Sequence, residues 1–190
     1  VSVVVVDTGV ANLHSVTSAL SRLGAEWSVG TEIGDAERVI LPGVGSAEAG
    51  MKALENKGLV ESLRAFEKPM LGICLGMQMM YEGLGESGGQ GLGLLEGDVA
   101  ELNAGGRPLP HMGWNRLEIA RKDALLEGVE DGAHVYFVHS FAAKGEGLAM
   151  TGYGERFVAV ARSGNRMGCQ FHPERSGAVG ATILRNFLSL

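Results

Sequence analysis

Pro69-Met70-Leu71-Gly72-Ile73-Cys74-Leu75-Gly76-Met77-Gln78 is the stretch whose reading decides the fold of this chain. Met70 to Ile73 reads as a short buried strand, Cys74 as a sharp turn, and Leu75 as the start of a helix. Glycines at 72 and 76 bracket the cysteine in a Gly-x-Cys-x-Gly pattern, the thiol counterpart of the Gly-x-Ser-x-Gly nucleophile elbow. Small residues on both sides let strand and helix approach closely and hold the central residue in a strained turn. Its side chain is then presented above the sheet edge, among the first free N–H groups of the helix. The positive end of the helix dipole favours thiolate over thiol, and the thiolate is the nucleophile. Taken alone, the segment also fits a buried structural cysteine at a strand end.

Working outward, Val1 to Val6, β-branched at every position but Ser2, predicts a strand covered on both faces. After the turn Asp7-Thr8-Gly9, Leu13, Val16, Leu20 and Leu23 recur at helical spacing, and Gly24 follows as a natural stop. Trp27 to Val29 and Val39 to Leu41 predict two further strands, the second running into Pro42-Gly43-Val44-Gly45, a loop able to present bare backbone N–H groups. Ser46 has the character of an N-cap for a helix containing Met51 and Leu54, and Leu59, Leu63 and Phe66 continue the helical period up to the elbow. This alternation predicts an α/β fold with a largely parallel sheet and helices on both faces. Ligands in such a fold gather at the carboxyl ends of the strands, where the Pro42 loop and Cys74 would both lie. Gly83 to Gly97 is glycine-rich and reads as an irregular loop. Residues 99–120 and 135–161 read as antiparallel strands extending the sheet, and Ala178 to Leu188 as a closing helix. One domain, residues 1–190, is expected.

Composition narrows the function. The chain has 190 residues, 45% hydrophobic and 20% charged, enough for a sizeable core. A net charge of −6 argues against general nucleic-acid binding. No apolar run approaches the ~20 residues that span a bilayer, and no basic-plus-apolar leader precedes the first strand. Two cysteines make no disulfide framework, so the cytoplasm is the expected compartment. No zinc-spaced Cys/His cluster and no phosphate loop is present, so neither metal nor cofactor is expected.

A cysteine nucleophile needs a base, an orienting group and oxyanion donors. Of five histidines, His172 in Gln170-Phe171-His172-Pro173-Glu174 stands at the end of an expected strand, with Glu174 near enough to orient it. An ordinary exposed turn is the other reading of that segment. His139 is the rival base, with no carboxylate following it nearby, and a pocket-wall or core role suits it better. Cys169 lies inside an apolar strand without elbow glycines and reads as a small buried hydrophobe.

The three segments Pro42-Gly43-Val44-Gly45, Gly72-Ile73-Cys74-Leu75-Gly76-Met77-Gln78 and Phe171-His172-Pro173-Glu174, in this order, resemble the class I (triad) glutamine amidotransferases. The resemblance implies a flavodoxin-like three-layer αβα sandwich with a mixed central sheet. It also implies Cys74 as nucleophile, His172 as general acid–base and Glu174 as its orienting group. Residues 7–16, Pro110-His111-Met112-Gly113-Trp114-Asn115 and Tyr136-Phe137-Val138-His139-Ser140 look like the glutaminase subunits of imidazole glycerol phosphate synthase, of histidine biosynthesis. Thr8 and Ala11 depart from that pattern, where tyrosine and glycine are usual. By this resemblance L-glutamine is the substrate, with Gly43, Gly45, Gln78, Glu86, Ser140 and Phe141 around it and Val44 and Leu75 supplying oxyanion N–H groups. A (β/α)8-barrel cyclase would be the partner in a heterodimer, facing Asn12, Trp114 and Arg175, and glutaminase activity would stay low until that partner holds its ligand. From composition alone, Trp114 fits a binding anchor and a buried core residue equally well. A glutaminase of another amidotransferase, such as pyridoxal phosphate synthase, and a free-standing cysteine hydrolase are the competing functions.

Overall fold

The computed structural model describes residues 2–9, 11–85 and 88–190. The first half of the chain builds the parallel part of the main sheet, through strands β1 (Ser2–Val6), β2 (Glu26–Gly30), β3 (Arg38–Gly43) and β4 (Met70–Cys74). Between them run helices α1 (Leu13–Arg22), α2 (Ala47–Asn56) and α3 (Leu59–Ala65), and α4 (Leu75–Met80) leaves directly from β4. Further on come β5 (Tyr81–Leu84), β6 (Gly89–Gln90), β7 (Leu95–Glu101), β8 (His111–Arg116), β9 (Glu118–Ile119), β10 (His134–His139) and β11 (Phe141–Ala143). The chain closes with β12 (Ala149–Tyr153), β13 (Glu155–Ser163), β14 (Arg166–Cys169) and α5 (Gly177–Ser189). The eight-stranded sheet has the order β2-β1-β3-β4-β14-β13-β12-β9. Strands β2, β1, β3, β4 and β14 are mutually parallel, and antiparallel pairing begins at β13.

The β-branched and leucine runs read as doubly covered strands, and the side chains sort accordingly. Val3, Val5, Ile40, Leu71 and Ile73 pack on one face with Val16 and Leu20 of α1 and Ile183, Leu184 and Phe187 of α5. Val4, Val6, Val39, Leu41 and Met70 pack on the other with Met51 and Leu54 of α2, Leu59 and Leu63 of α3, and the α4 methionines. Each such side chain, removed from water, contributes roughly 1.5–3 kcal/mol. The caps match their sequence signals. Asn12 Oδ1 accepts from Ser15 N–H at 3.3 Å to open α1, and Gly24, at φ 72°, ends it. Ser46 Oγ accepts from Ala49 N–H at 3.2 Å to open α2.

Within the expected irregular loop at Gly83–Gly97, the ends of β5 and β7 and all of β6 are strand instead. Strands β11, β7, β5 and β6 form a separate four-stranded sheet. The glycines there permit close backbone approach: a Cβ on Gly85 would stand 2.6 Å from the Val99 carbonyl oxygen. The later antiparallel strands also divide differently from the expectation. Only β9, β12 and β13 extend the main sheet, while β8 and β10 pair with each other in a two-stranded ribbon. Alternation marks these runs as strands but carries no information about which edge they join.

Candidate active site

Register brings the expected pieces to one place. Gly43, the last residue of β3, stands opposite Cys74, the last residue of β4, and Cys169 of β14 stands opposite Ile73. The Pro42 loop, the cysteine and the segment Gln170–His172 therefore leave the carboxyl ends of three adjacent parallel strands.

The elbow is built by close packing. Cys74 has φ 53° and ψ −111°, and among the described residues it is the one non-glycine with positive φ. Such a conformation costs on the order of 1–3 kcal/mol and persists only where the surroundings fix it. They do so here: a Cβ on Gly72 would stand 2.6 Å from Met77 N, and one on Gly76 would overlap the Leu41 carbonyl of β3. Both glycines thus hold α4 against the sheet, with Cys74 at the corner. Gly43 shares in this, since a Cβ there would meet Leu75 Cβ at 3.0 Å.

His172 is fixed through backbone and ring alike. Its N–H donates to Tyr136 C=O at 2.9 Å, and its C=O accepts from Ser176 Oγ at 2.6 Å. Ser176 Oγ in turn accepts from Tyr136 N–H at 2.9 Å, which closes the link to β10. The ring Nδ1 meets Glu174 Oε1 at 2.8 Å, with the carboxylate side chain 2% exposed. Nε2 is buried with no hydrogen-bond partner among the described residues. Burial opposes a charge on the ring, but the Cys74 sulfur and the Glu174 carboxylate outweigh it and raise His172 from 6.5 to about 10. A group whose folded pKa is raised contributes stability that is complete below its unfolded value and lost as pH climbs through the folded one. The unfolding free-energy difference between the wild-type chain and His172→Gln is therefore expected to be largest below pH 6.5 and to shrink towards pH 10. Urea unfolding across that range checks this, and a difference that grows with pH would contradict it.

Cys74 and His172 line one cavity of about 450 Å³ with Val44, Leu75, Gln78 and Ser140. Gly45, Pro110, Val138, His139 and Phe141 complete its wall. A second depression of about 520 Å³, bordered by Arg107, Arg116, Glu118, Asp131 and Arg156, carries charges of both signs and no nucleophile. His139 lines the first cavity, yet both its ring nitrogens are occupied. Nδ1 meets Phe141 C=O at 2.9 Å, and Nε2 meets His111 Nδ1 at 2.9 Å. Burial first, helped by neighbouring charge, pushes both imidazoles down to about 4, so both are neutral near pH 7. With both nitrogens so engaged, His139 presents no free lone pair to the cavity and forms part of its wall. Cys169 is fully buried and its thiol pKa is pushed up by burial, then by the nearby Glu174 charge, which makes it inert.

The glutamine amidotransferase class-I family matches residues 4–190. The chain belongs to the class-I glutamine amidotransferases. Among curated members of the family, imidazole glycerol phosphate synthase subunit HisH of Escherichia coli strain K12 is 45% identical, over 100% of both chains. The protein of the same name from Shewanella loihica is 46% identical, covering 98% of this chain and 90% of its own. A solved glutamine amidotransferase superposes with a TM-score of 0.76 at 25% identity, covering 98% of this chain and 97% of that one. This amidotransferase fold is the α/β sandwich with a mixed sheet that the sequence predicts.

Of the residues expected around the amidotransferase site, Cys74, Leu75, Val44, Gly45, Gln78, Ser140, Phe141 and His172 meet at the cavity, and Glu174 stands behind His172. Gly43 does not line it, because its open side is filled by α4. Glu86 lies outside the described residues. Asn12 is exposed and serves as the α1 cap. Trp114 is 57% exposed, which removes the buried-core reading. Its ring meets Tyr136 edge-on at 6.1 Å, and the Arg175 guanidinium lies 4.6 Å from the other partner of that contact, the Tyr136 ring centroid. Sequence reasoning missed Ser176 and His111. The first acts through a contact closed only by tertiary structure, and the second through a pairing across β8 and β10. Among the described residues no group of His, Cys, Asp and Glu is arranged to hold a metal ion, and no helix is long and apolar enough to cross a membrane.

Proposed function

We propose that residues 1–190 act as one glutaminase unit that hydrolyses the side-chain amide of L-glutamine and hands the ammonia to a (β/α)8-barrel cyclase, as the glutaminase subunit of imidazole glycerol phosphate synthase in histidine biosynthesis. The observation that carries this reading is the sharing of one cavity by the elbow thiol of Cys74 and a Glu174-held imidazole. The full-length likeness to HisH proteins points to the pathway.

The Cys74 thiolate attacks the amide carbon, and the C–N bond is still intact in the tetrahedral adduct. The oxyanion accepts from the Leu75 and Val44 N–H groups in this reading; losing one such donor costs about 10²–10³ in rate. The protonated His172 gives its proton to the departing nitrogen, ammonia leaves, and a thioester remains on sulfur. Water, deprotonated by His172, then attacks the thioester and releases glutamate. Gln78 has a defined part in binding. Both hydrogens of its Nε2 are engaged, by Phe141 C=O at 2.8 Å and Gln170 Oε1 at 3.1 Å. It therefore offers the substrate its Oε1, an acceptor suited to an amide or ammonium N–H.

Ammonia is protonated in bulk water near pH 7 and ammonium is no nucleophile, so transfer needs a sealed junction. Val44, Leu109, Met112 and Trp114 supply exposed apolar surface for one, at 42, 40, 62 and 57% exposure. Val44 also borders the cavity, as does Pro110, next to Leu109. We place Trp114, with Arg175 beside it over Tyr136, on the cyclase-facing side, and Asn12 with them.

The test is glutamate formation from glutamine by the chain alone and by the chain mixed with a barrel cyclase and its nucleotide ligand. Glutamate is expected, and more of it in the mixture; none under either condition would overturn the reading. Glu174→Gln keeps the size of the group but cannot stabilise the imidazolium, so it is expected to lower kcat/KM at least about 10²-fold. An unchanged kcat/KM would remove Glu174 from the triad.

A further inference from the structure

The polar contacts behind the cavity have a direction that can be worked out from one group. The Phe141 carbonyl can only accept. It takes a hydrogen bond from Gln78 at 2.8 Å, so the NH₂ end of Gln78 must face it. The same NH₂ lies 3.1 Å from the Gln170 side chain, which must therefore turn its oxygen towards Gln78. Its own NH₂ is then left pointing at the Cys74 sulfur, 3.8 Å away, at the long end of what a bond to a large sulfur atom spans. Reversing Gln170 would set two donors against each other.

The same carbonyl fixes a second branch. His139 Nδ1–H donates to it, so His139 Nε2 must accept, and His111 Nδ1–H is the donor. His111 Nε2 then accepts from Asn115 Nδ2 at 3.2 Å, whose other hydrogen goes to Gly152 C=O at 3.0 Å. The chain ends on carbonyls, so neither histidine has a choice of tautomer. Gln170 itself is fully buried.

We propose that Gln170 is a further catalytic residue, its amide N–H donating to the Cys74 thiolate, with Gln78 and His139 acting as positioning residues that keep this donor aimed at the sulfur. This rests on Cys74 being the nucleophile. When the sulfur is a thiol its hydrogen has another outlet, the Val138 carbonyl at 3.7 Å. Loss of the proton frees the sulfur to accept from Gln170, so the bond favours the ionised form. The titratable groups near the sulfur are His172 with Glu174 behind it, the neutral His139 and His111, and the buried Cys169. Arg38 on β3, Arg166 on β14 and His134 on β10 stand at the far ends of their strands. None of these is altered by a change at Gln170.

The test is the pH dependence of Cys74 alkylation by iodoacetamide in the full chain, the modified residue being assigned by peptide mass. Gln170→Met, of similar length but without a donor, is expected to move the midpoint of the rate profile up by about one pH unit. Gln170→Leu, neutral and also without a donor, should move it the same way, and either variant serves if the other fails to fold. His139→Leu should give a smaller upward move that His139→Asn, with its N–H retained for Phe141, restores. An unchanged midpoint in a folded Gln170 variant overturns the assignment, and an unchanged midpoint in folded His139→Leu overturns the positioning role. Alkylation needs no glutamine, so a failed shift counts against Gln170 alone, whereas absence of glutamate in the turnover assay counts against the glutaminase reading alone.

Discussion

Cys74→Ala is expected to lower glutamine-dependent turnover by on the order of 10⁴-fold or more, while the complex with a barrel cyclase still works when ammonia is supplied directly. The elbow explains the size of the effect. Cys74 sits at φ 53° at a corner held by Gly72 and Gly76, where an added Cβ would meet Met77 or Leu41, so the tight turn fixes where the sulfur stands. Cys169 cannot substitute, being fully buried one strand away. His172 and the Leu75 N–H remain in the variant, but they act on an adduct that no longer forms. Alanine relieves none of the packing, so the fold and the proposed cyclase-facing surface should persist. Assaying both nitrogen sources on one preparation checks this. Loss of both activities would contradict the proposed division of labour between two subunits, and survival of the glutamine reaction would contradict Cys74 as nucleophile.

Gly76→Ala is expected to destabilise the chain by about 3 kcal/mol or more, near the top of what overpacking usually costs. The added methyl would overlap the Leu41 carbonyl oxygen and stand 2.7 Å from its carbon. Leu41 cannot give way, because it is paired with Gly72 inside the sheet. The helix must move instead, and it carries the Leu75 N–H away from the Val44 loop. Stability and activity should therefore fall together. Urea unfolding measures the first: with total stabilities of about 5–15 kcal/mol usual for a domain, the midpoint should drop plainly. A change under about 1 kcal/mol would show that α4 is less tightly seated than its contacts imply.

The contrast between these residues and the ones that sequence reasoning missed is physical. The elbow was legible because its constraints are local: strand, turn and helix follow one another, and the glycines that permit their contact are neighbours of the cysteine. His172 and Glu174 were legible for the same reason, being two positions apart. Ser176 was not, because its hydroxyl matters only once β10 brings Tyr136 to it. The neutrality of His139 comes first from burial, to which His111 across the β8–β10 ribbon adds, and that pairing is one no spacing announces. Gly83–Gly97 misled because glycine richness signals both loose loops and close backbone approach, and the second applies here. Trp114 was ambiguous in composition, and its exposure removes the buried-core reading.

The most direct measurement is covalent labelling of the chain, in complex with the cyclase, by a diazoketone analogue of glutamine, with the site found by peptide mass. Nucleophilic catalysis at the elbow predicts label on Cys74, protection by glutamine and no label in Cys74→Ala. Label on Cys169 or elsewhere, or a folded complex that takes up none, would contradict it.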